Sequence, residues 1–493
     1  MRKVFWESPP PPQPARPRAR TSAETSAVSL AGRDNAGVFM SVDFARKTIT
    51  HGQVLRRGQL RLCIIYSGRR PARHTILEAI RRCISTRGTM PALIIRNARI
   101  LTLSGSPVAR RGAELRALGV IPLGEVLVGD DGKIAAVAEK IDTAPADAQV
   151  IDAAGRVLMP GFVDCHTHAC WAGSRLDEWR ALLNGETYSD LLKKGGGMLA
   201  TVRAVRETTR NQLAANLRGR LDEFLRNGTT TLEIKSGYGL TLEAELKMLR
   251  AIQRAAGDWP GTVVPTALLG HGCEGSSLDD YAKMVVRDIL PEVLREFPGI
   301  AIEAFCDQGA WTVETCVRLL EKARKHLPIR ASADQFTPTG MVPEAVRLHA
   351  GCVAHLEGTP KEQLRELAES PVVAVLTPLT GLHLNQRFAR GGFLAENGGA
   401  VAIATNCNPG TSPSCSMPLA IATAVRFCGL DIEEAIVAAT VNPALVLGLT
   451  DRGTIEPGKR ADLVLLHHKD ERLLAYELGG NPVAQVICGG KLV

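Results

Sequence analysis

The chain has 493 residues, 45% hydrophobic and 22% charged, the composition of a globular protein with enough length for more than one structural unit. No apolar run is long enough to span a bilayer, and the 12 cysteines include no CxxC pair, which argues against a helical membrane anchor and a disulfide framework and fits a reducing cytoplasm. The net charge of +8 is lopsided: residues 1–90 hold 17 Lys and Arg against 5 Asp and Glu, a net of +12, and the other 403 carry 42 and 46, a net of −4, so the body has no nucleic-acid footprint.

In chain order, residues 1–89 come first. "ESPPPPQPARPRARTSAETS" is rich in Pro, Arg and Ser, and without apolar period it reads as a disordered basic extension. An upstream extension is the plain reading, with an organelle-targeting leader as the alternative. Met90 opens "MPALIIRNARILTLSG", the first convincing strand pattern. "GEVLVGDDGKIAAVAEKI" and "AQVIDAAGRVLMPG" follow as short β segments around turn signals such as Asp130-Asp131-Gly132. The C-terminal end is similar, in "GTIEPGKRADLVLLHH" and "NPVAQVICGGKLV". Neither end has strands enough to bury a core alone, so residues 90–158 and 450–493 are expected to build one composite β-sandwich domain.

Between them, over 159–449, strand-like runs alternate with helical patterns: "TTTLEIKSGYG", "LEAELKMLRAIQRAAG", "TVVPTALLG", "AIEAFCD", "VETCVRLLEKARKH". That alternation predicts an α/β class, and the length suits a (β/α)8 TIM-like barrel with its chemistry at the strand C-terminal ends.

In "FVDCHTH", His166 and His168 are two apart at the end of an apolar strand. Period two turns both rings into one space, where they could hold zinc or iron. His-x-His alone is a weak signal, but "LMPGFVD" before it places the pair at a barrel mouth. His271 in "LLGHGC" and His355 in "VAHLEG" each end an apolar run, although a lone histidine there also suits a satisfied core.

"PGFVDCHTH" resembles the first barrel strand of the amidohydrolase superfamily. "HTHACWAGSRLDEW", "KKGGGMLATVRAVRETT", "KSGYGL", "CDQGAWTVE" and "NCNPGTSPSCSMPLAI" narrow the resemblance to the imidazolonepropionase family, in order from about residue 92 to the C-terminus. The resemblance implies one divalent metal, a cytoplasmic enzyme of histidine degradation and a homodimer, with a small molecule and neither nucleic acid nor membrane as partner. The implied reaction is attack of metal-activated water on the ring carbonyl of 4-imidazolone-5-propanoate, giving N-formimidoyl-L-glutamate. Position by position it implies metal binding by His166 and His168 and catalytic roles for His271 and His355. Substrate contacts fall to Arg175, to Tyr238, and to Asn408, Gly410 and Thr411 of "NPGTS". His326, His349, His383, His467 and His468 match no family motif and read as structural or surface residues.

Three departures bear on catalysis. Where the family has "HADEF", this chain has "SADQF", so Ser332 replaces a metal-binding histidine and Gln335 the catalytic glutamate. Where the family has "ATDFNPG", this chain has "ATNCNPG", so Asn406 replaces a metal-binding aspartate. Ser and Asn are weak neutral donors, and Gln accepts no proton near neutral pH. Two classes of function follow: a hydrolase of this kind, on this or a related cyclic amide, or a catalytically impaired protein that keeps the pocket to bind ligand.

A chain beginning at Met90 should fold by itself. Its thermal unfolding should be cooperative with a midpoint matching the full chain's; a chain that does not fold would move the domain boundary.

Overall fold

The computed structural model describes residues 92–493 apart from 106, 187–189, 192–193, 274–276, 326 and 386, and, upstream, the strands Val28–Leu30, Gly37–Val42 and Leu62–Ser67. Those three pair antiparallel in chain order. The remainder of residues 1–89, where the basic extension was expected, lies outside the described residues, as does His326.

Eight parallel strands form the larger sheet: Phe162–Asp164, Thr229–Lys235, Thr262–Gly270, Ala301–Cys306, Ile329–Ala333, Cys352–His355, Val373–Leu376 and Val401–Ile403. Each pairs with the next in sequence, and helices such as Leu242–Ala256 and Val313–Ala323 fill the crossovers. This is the (β/α)8 TIM-like barrel of the sequence reading. The first and eighth strands meet just past their ends: the Asn406 amide donates to the His166 carbonyl at 3.1 Å and the His168 amide to the Cys407 carbonyl at 3.0 Å. The buried Asp164 carboxylate latches this seam, accepting the Thr405 hydroxyl at 2.5 Å and the Thr405 amide at 3.2 Å.

Period two explains what each strand buries. In Thr229–Lys235, Leu232 and Ile234 join the main core beneath the helices, as do Ile302, Ala304, Ala331 and Ala333. The alternate residues, Glu233, Lys235, Glu303, Arg330 and Ser332, are buried as well and hydrogen-bond one another, so one half of the barrel interior is charged. The other half is an apolar cluster containing Val163, Cys352, Ala354, Val375 and Ala402.

The expected β-sandwich takes the form of one continuous eight-stranded sheet drawing on both ends of the chain. Val157–Pro160 pairs antiparallel with Leu463–Leu466 and parallel with Leu93–Leu101. Alternation again divides the faces. Leu158, Leu463 and Leu465 enter the small domain's own core, whereas Val157, Met159, Val464 and Leu466 pack into the barrel's core. No described helix is long and apolar enough to cross a membrane.

Thr405→Val removes the hydroxyl donor from the buried Asp164 carboxylate. Unfolding in urea should show a loss of about 1–3 kcal/mol. An unchanged midpoint would mean that the latch does not hold the seam.

Candidate active site

The strand that begins the barrel ends at Asp164, and "CHTH" continues as buried chain outside any strand or helix at its C-terminal mouth. Thr167, between the two histidines, is pinned from the second strand: its amide donates to Glu233 Oε2 at 3.0 Å and its hydroxyl to the Glu233 carbonyl at 2.7 Å. With Thr167 turned to that strand, His166 and His168 turn the other way. Their ring centroids are 5.5 Å apart.

Three more predicted residues join them. His355 packs edge-on to His166 at 5.4 Å, His271 stacks on His168 at 5.2 Å, and Tyr238 lies 5.8 Å from His168 and 5.3 Å from His271. Phe305 closes the ring of aromatics, 6.1 Å from His271 and 5.9 Å from His355. Strand ends one, three and six and the loop after strand two thus converge on one space.

Hydrogen bonds orient the imidazoles. His271 Nδ1 lies 2.9 Å from the Gly237 carbonyl, which only accepts, so Nδ1 carries the proton and Nε2 keeps its lone pair. Thr377 gives its single hydroxyl proton to Glu357 at 2.8 Å and therefore accepts from His355 Nδ1 at 3.2 Å, which also leaves Nε2 as the lone pair. Burial pushes His271 down to about 4, and holds His166 and His168 well below the usual imidazole value, so these three rings are neutral at pH 7.

Beneath the rings lies the buried ammonium of Lys235, 2.7 Å from Glu233 Oε1 and 2.5 Å from Glu303 Oε2. Burial alone would lower its pKa; the two carboxylates overcome that and raise it, so Lys235 stays charged. Burial likewise opposes ionisation of Glu303, but Lys235 and Ser332 outweigh it and hold Glu303 below its ordinary value. Sequence reasoning missed Glu233, Lys235 and Glu303. Their signal was ionisable residues inside apolar strand runs, "LEIK" and "AIEAF".

The three substituted positions behave as neutral groups. Ser332 donates to Glu303 Oε1 at 2.6 Å. Asn406 has φ +52° and donates through Nδ2 to Thr380 at 2.9 Å, leaving Oδ1 buried without a partner. Gln335 is buried with Nε2 unpartnered. His166 Nε2 and His168 Nδ1 also lack partners. Of these atoms, Asn406 Oδ1 and the imidazole nitrogens are the ones a cation would use, since the Gln335 Nε2 amide only donates. Yet among the described residues no three His, Cys, Asp or Glu side chains converge to hold one, and the groups at the implied ligand positions, His166, His168, Ser332 and Asn406, are all neutral donors. The residues present do not fit the divalent metal site that the family resemblance implied.

Among the residues that the resemblance assigned to substrate, Arg175 is buried at the start of helix Leu176–Leu183 and pairs with Glu178, donating through Nε at 2.6 Å. Glu178 also accepts the Gly197 amide at 3.2 Å. A Cβ on Gly410 would sit 3.0 Å from Arg175 Nη1, so glycine there lets the guanidinium lie on the turn. Asn408 shapes that turn: its Oδ1 accepts the Gly410 and Thr411 amides at 2.8 Å, and its Nδ2 donates to the Asn406 carbonyl and to Thr411 Oγ1. The Tyr238 loop is held by Glu245, also missed from sequence, whose carboxylate accepts the amides of Gly237, Gly239 and Leu240 at 2.9, 2.7 and 2.9 Å. Of the remaining histidines, His383 stacks on Trp179 and His468 meets Glu477 at 3.1 Å.

Residues 157–493 match the amidohydrolase family. The chain is 40% identical over 415 residues to an imidazolonepropionase of Herpetosiphon aurantiacus, covering 81% of this chain and 96% of that one. It is 41% identical over 385 residues to an imidazolonepropionase of Deinococcus radiodurans, covering 78% and 95%. Among solved structures it resembles an adenosine deaminase from Xanthomonas campestris with bound zinc, at TM-score 0.57 and 20% identity over 81% of this chain and 92% of that one, a likeness of fold.

Glu245→Ala strips three buried amides of their acceptor. Thermal and urea unfolding should show a loss of about 2–3 kcal/mol or more, and the Tyr238 loop should gain proteolytic sensitivity; an unchanged stability would mean that the loop holds itself.

Proposed function

The chain belongs to the imidazolonepropionase family of amidohydrolases, and we propose that its barrel mouth binds 4-imidazolone-5-propanoate and opens the ring by hydrolysis to N-formimidoyl-L-glutamate. The observation that carries this reading is the convergence of His166, His168, Tyr238, His271 and His355 on one space.

The substrate is a carboxylate joined to a cyclic amide. Arg175 takes the carboxylate, since a planar guanidinium matches two oxygens. The Tyr238 hydroxyl and the Asn408 turn orient the ring. Hydrolysis forms a bond from the water oxygen to the ring carbonyl carbon and breaks the ring C–N bond, and one proton passes from water to the departing nitrogen. His355, with its Nε2 lone pair set free by the Thr377–Glu357 pair, accepts that proton and returns it. The family is metal-dependent in general, but the donor set of this chain does not fit a metal.

A second reading is favoured by Ser332, Gln335 and Asn406: a pocket that binds the same ligand with turnover largely lost. The two readings agree on binding and separate on rate. Assayed beside the Deinococcus radiodurans relative, this chain should open the ring about 10²–10⁴-fold more slowly, the usual contribution of a placed acid–base group, with KM little changed. Equal rates would show that the three substitutions do not impair the site. Absence of binding would remove the pocket reading altogether.

Combining Ser332→His, Asn406→Asp and Gln335→Glu should raise both bound zinc or iron and ring-opening steeply, and single changes should do little, because parts of one catalytic unit are not additive. A triple variant that gains metal and stays inactive would mean that the pocket no longer fits this substrate.

A further inference from the structure

Behind the Asn408 turn lie two thiols that the proposed reaction does not use. Cys407 and Cys415 are both buried, with sulfurs 3.5 Å apart. They meet because the chain doubles back between them, the Asn408 amide donating to the Ser412 carbonyl at 2.9 Å. As period two requires, Cys407 turns away from the barrel mouth and into the main core. Arg220, stacked 3.4 Å over the Trp171 ring, lies near both sulfurs and Cys170. Cys415 also lines a surface cavity of about 260 Å³, beside Glu223, Asn227, Ser414 and Ser416. A small oxidant entering there meets Cys415 first, with Cys407 directly behind.

We propose that Cys407 and Cys415 form a modification site, a dithiol that closes to an intrachain disulfide and thereby reshapes the substrate turn. The oxidant is of the peroxide class, small enough for the cavity. Hydrogen peroxide transfers one oxygen to the Cys415 sulfur, giving a sulfenic acid and one water. The Cys407 sulfur then attacks the Cys415 sulfur. The S–S bond forms, the S–O bond breaks, and the departing hydroxide takes the Cys407 proton as a second water. Two thiols are oxidised and one peroxide is reduced to two waters.

The hydrogen bond to Cys407 and burial push the Cys415 thiol up, which lowers its thiolate fraction, so oxidation calls for excess peroxide. Bond formation draws the sulfurs from 3.5 Å to about 2.05 Å. That movement reaches the site by short paths. The Cys407 carbonyl accepts the His168 amide, Asn406 and Asn408 flank Cys407 in the chain, and Gly410 of the same turn lies under Arg175.

Both cysteines fall in one tryptic peptide, residues 391–426. The full chain is exposed to excess hydrogen peroxide, alkylated with iodoacetamide and digested. The peptide should be lighter by two hydrogens and unalkylated, and dithiothreitol should restore two alkylated thiols. Cys407→Ala and Cys415→Ala should each abolish the lighter species. Two alkylated thiols after peroxide, or a sulfinic acid on Cys415 beside a free Cys407, would overturn the proposal. The functional arm rests on the proposed reaction: oxidation should raise KM for 4-imidazolone-5-propanoate several-fold, reversibly, and Cys415→Ala should be insensitive. A disulfide that forms with KM unchanged would overturn the coupling to the turn. A disulfide that forms in a chain binding no 4-imidazolone-5-propanoate in either state would leave the dithiol standing and sink the substrate reading.

Discussion

The ammonium of Lys235, enclosed between the carboxylates of Glu233 and Glu303, is the interaction on which the site depends. All three groups are fully buried, and a charge left unpaired there would cost several kcal/mol. Their pairing lets one half of a barrel interior carry charge while the other half packs Val163, Ala354, Val375 and Ala402. It also reaches the histidines directly. Glu233 pins Thr167, which turns His166 and His168 to the mouth, and Glu303 accepts Ser332, so the same pair that neutralises Lys235 decides where three site residues point.

The loops above the strands follow one physical scheme, in which a buried carboxylate gathers backbone amides that no strand or helix satisfies. Glu245 does so for the Tyr238 loop, and Glu178 ties the Gly197 amide to Arg175. Asp307 accepts the amides of Gln308, Phe336 and Thr337, and Asp334 accepts the Thr339 amide together with the hydroxyls of Thr339 and Thr359. Asp334 therefore has a structural duty that persists although Ser332 and Gln335 beside it have changed. The turn with Asn408 uses a carboxamide in the same way. The backbone around Arg175, Tyr238 and Asn408 is thus held by side chains outside the cluster of rings, so its geometry does not depend on Ser332, Gln335 or Asn406.

The substituted positions differ in how their polar atoms are met. Ser332 is satisfied by Glu303, whereas Asn406 Oδ1 and Gln335 Nε2 are buried without partners, as are His166 Nε2 and His168 Nδ1. These unmet polar atoms are grouped at the barrel mouth, around the histidine rings.

The amino-acid sequence by itself determined the barrel and the convergence of His166 and His168, and it called for one small β domain from the two ends, though as a sandwich rather than the single sheet observed. These are consequences of period-two and period-3.6 patterns and of strand supply, which are local or additive along the chain. It also determined which chemistry is missing, since Ser332, Gln335 and Asn406 carry their donor inventory wherever they sit. Tertiary structure alone decided the rest. Lys235 reads in sequence as a strand-end residue of "KSGYGL", and only the approach of Glu303 from two strands away makes it a permanent buried cation. The tautomers of His271 and His355 are set by a carbonyl and a Thr–Glu pair from other segments. Cys407 and Cys415 are eight positions apart, and only a hairpin-like turn between them brings two thiols into contact. Each of these is a pairwise distance between segments, and a linear pattern holds no distances.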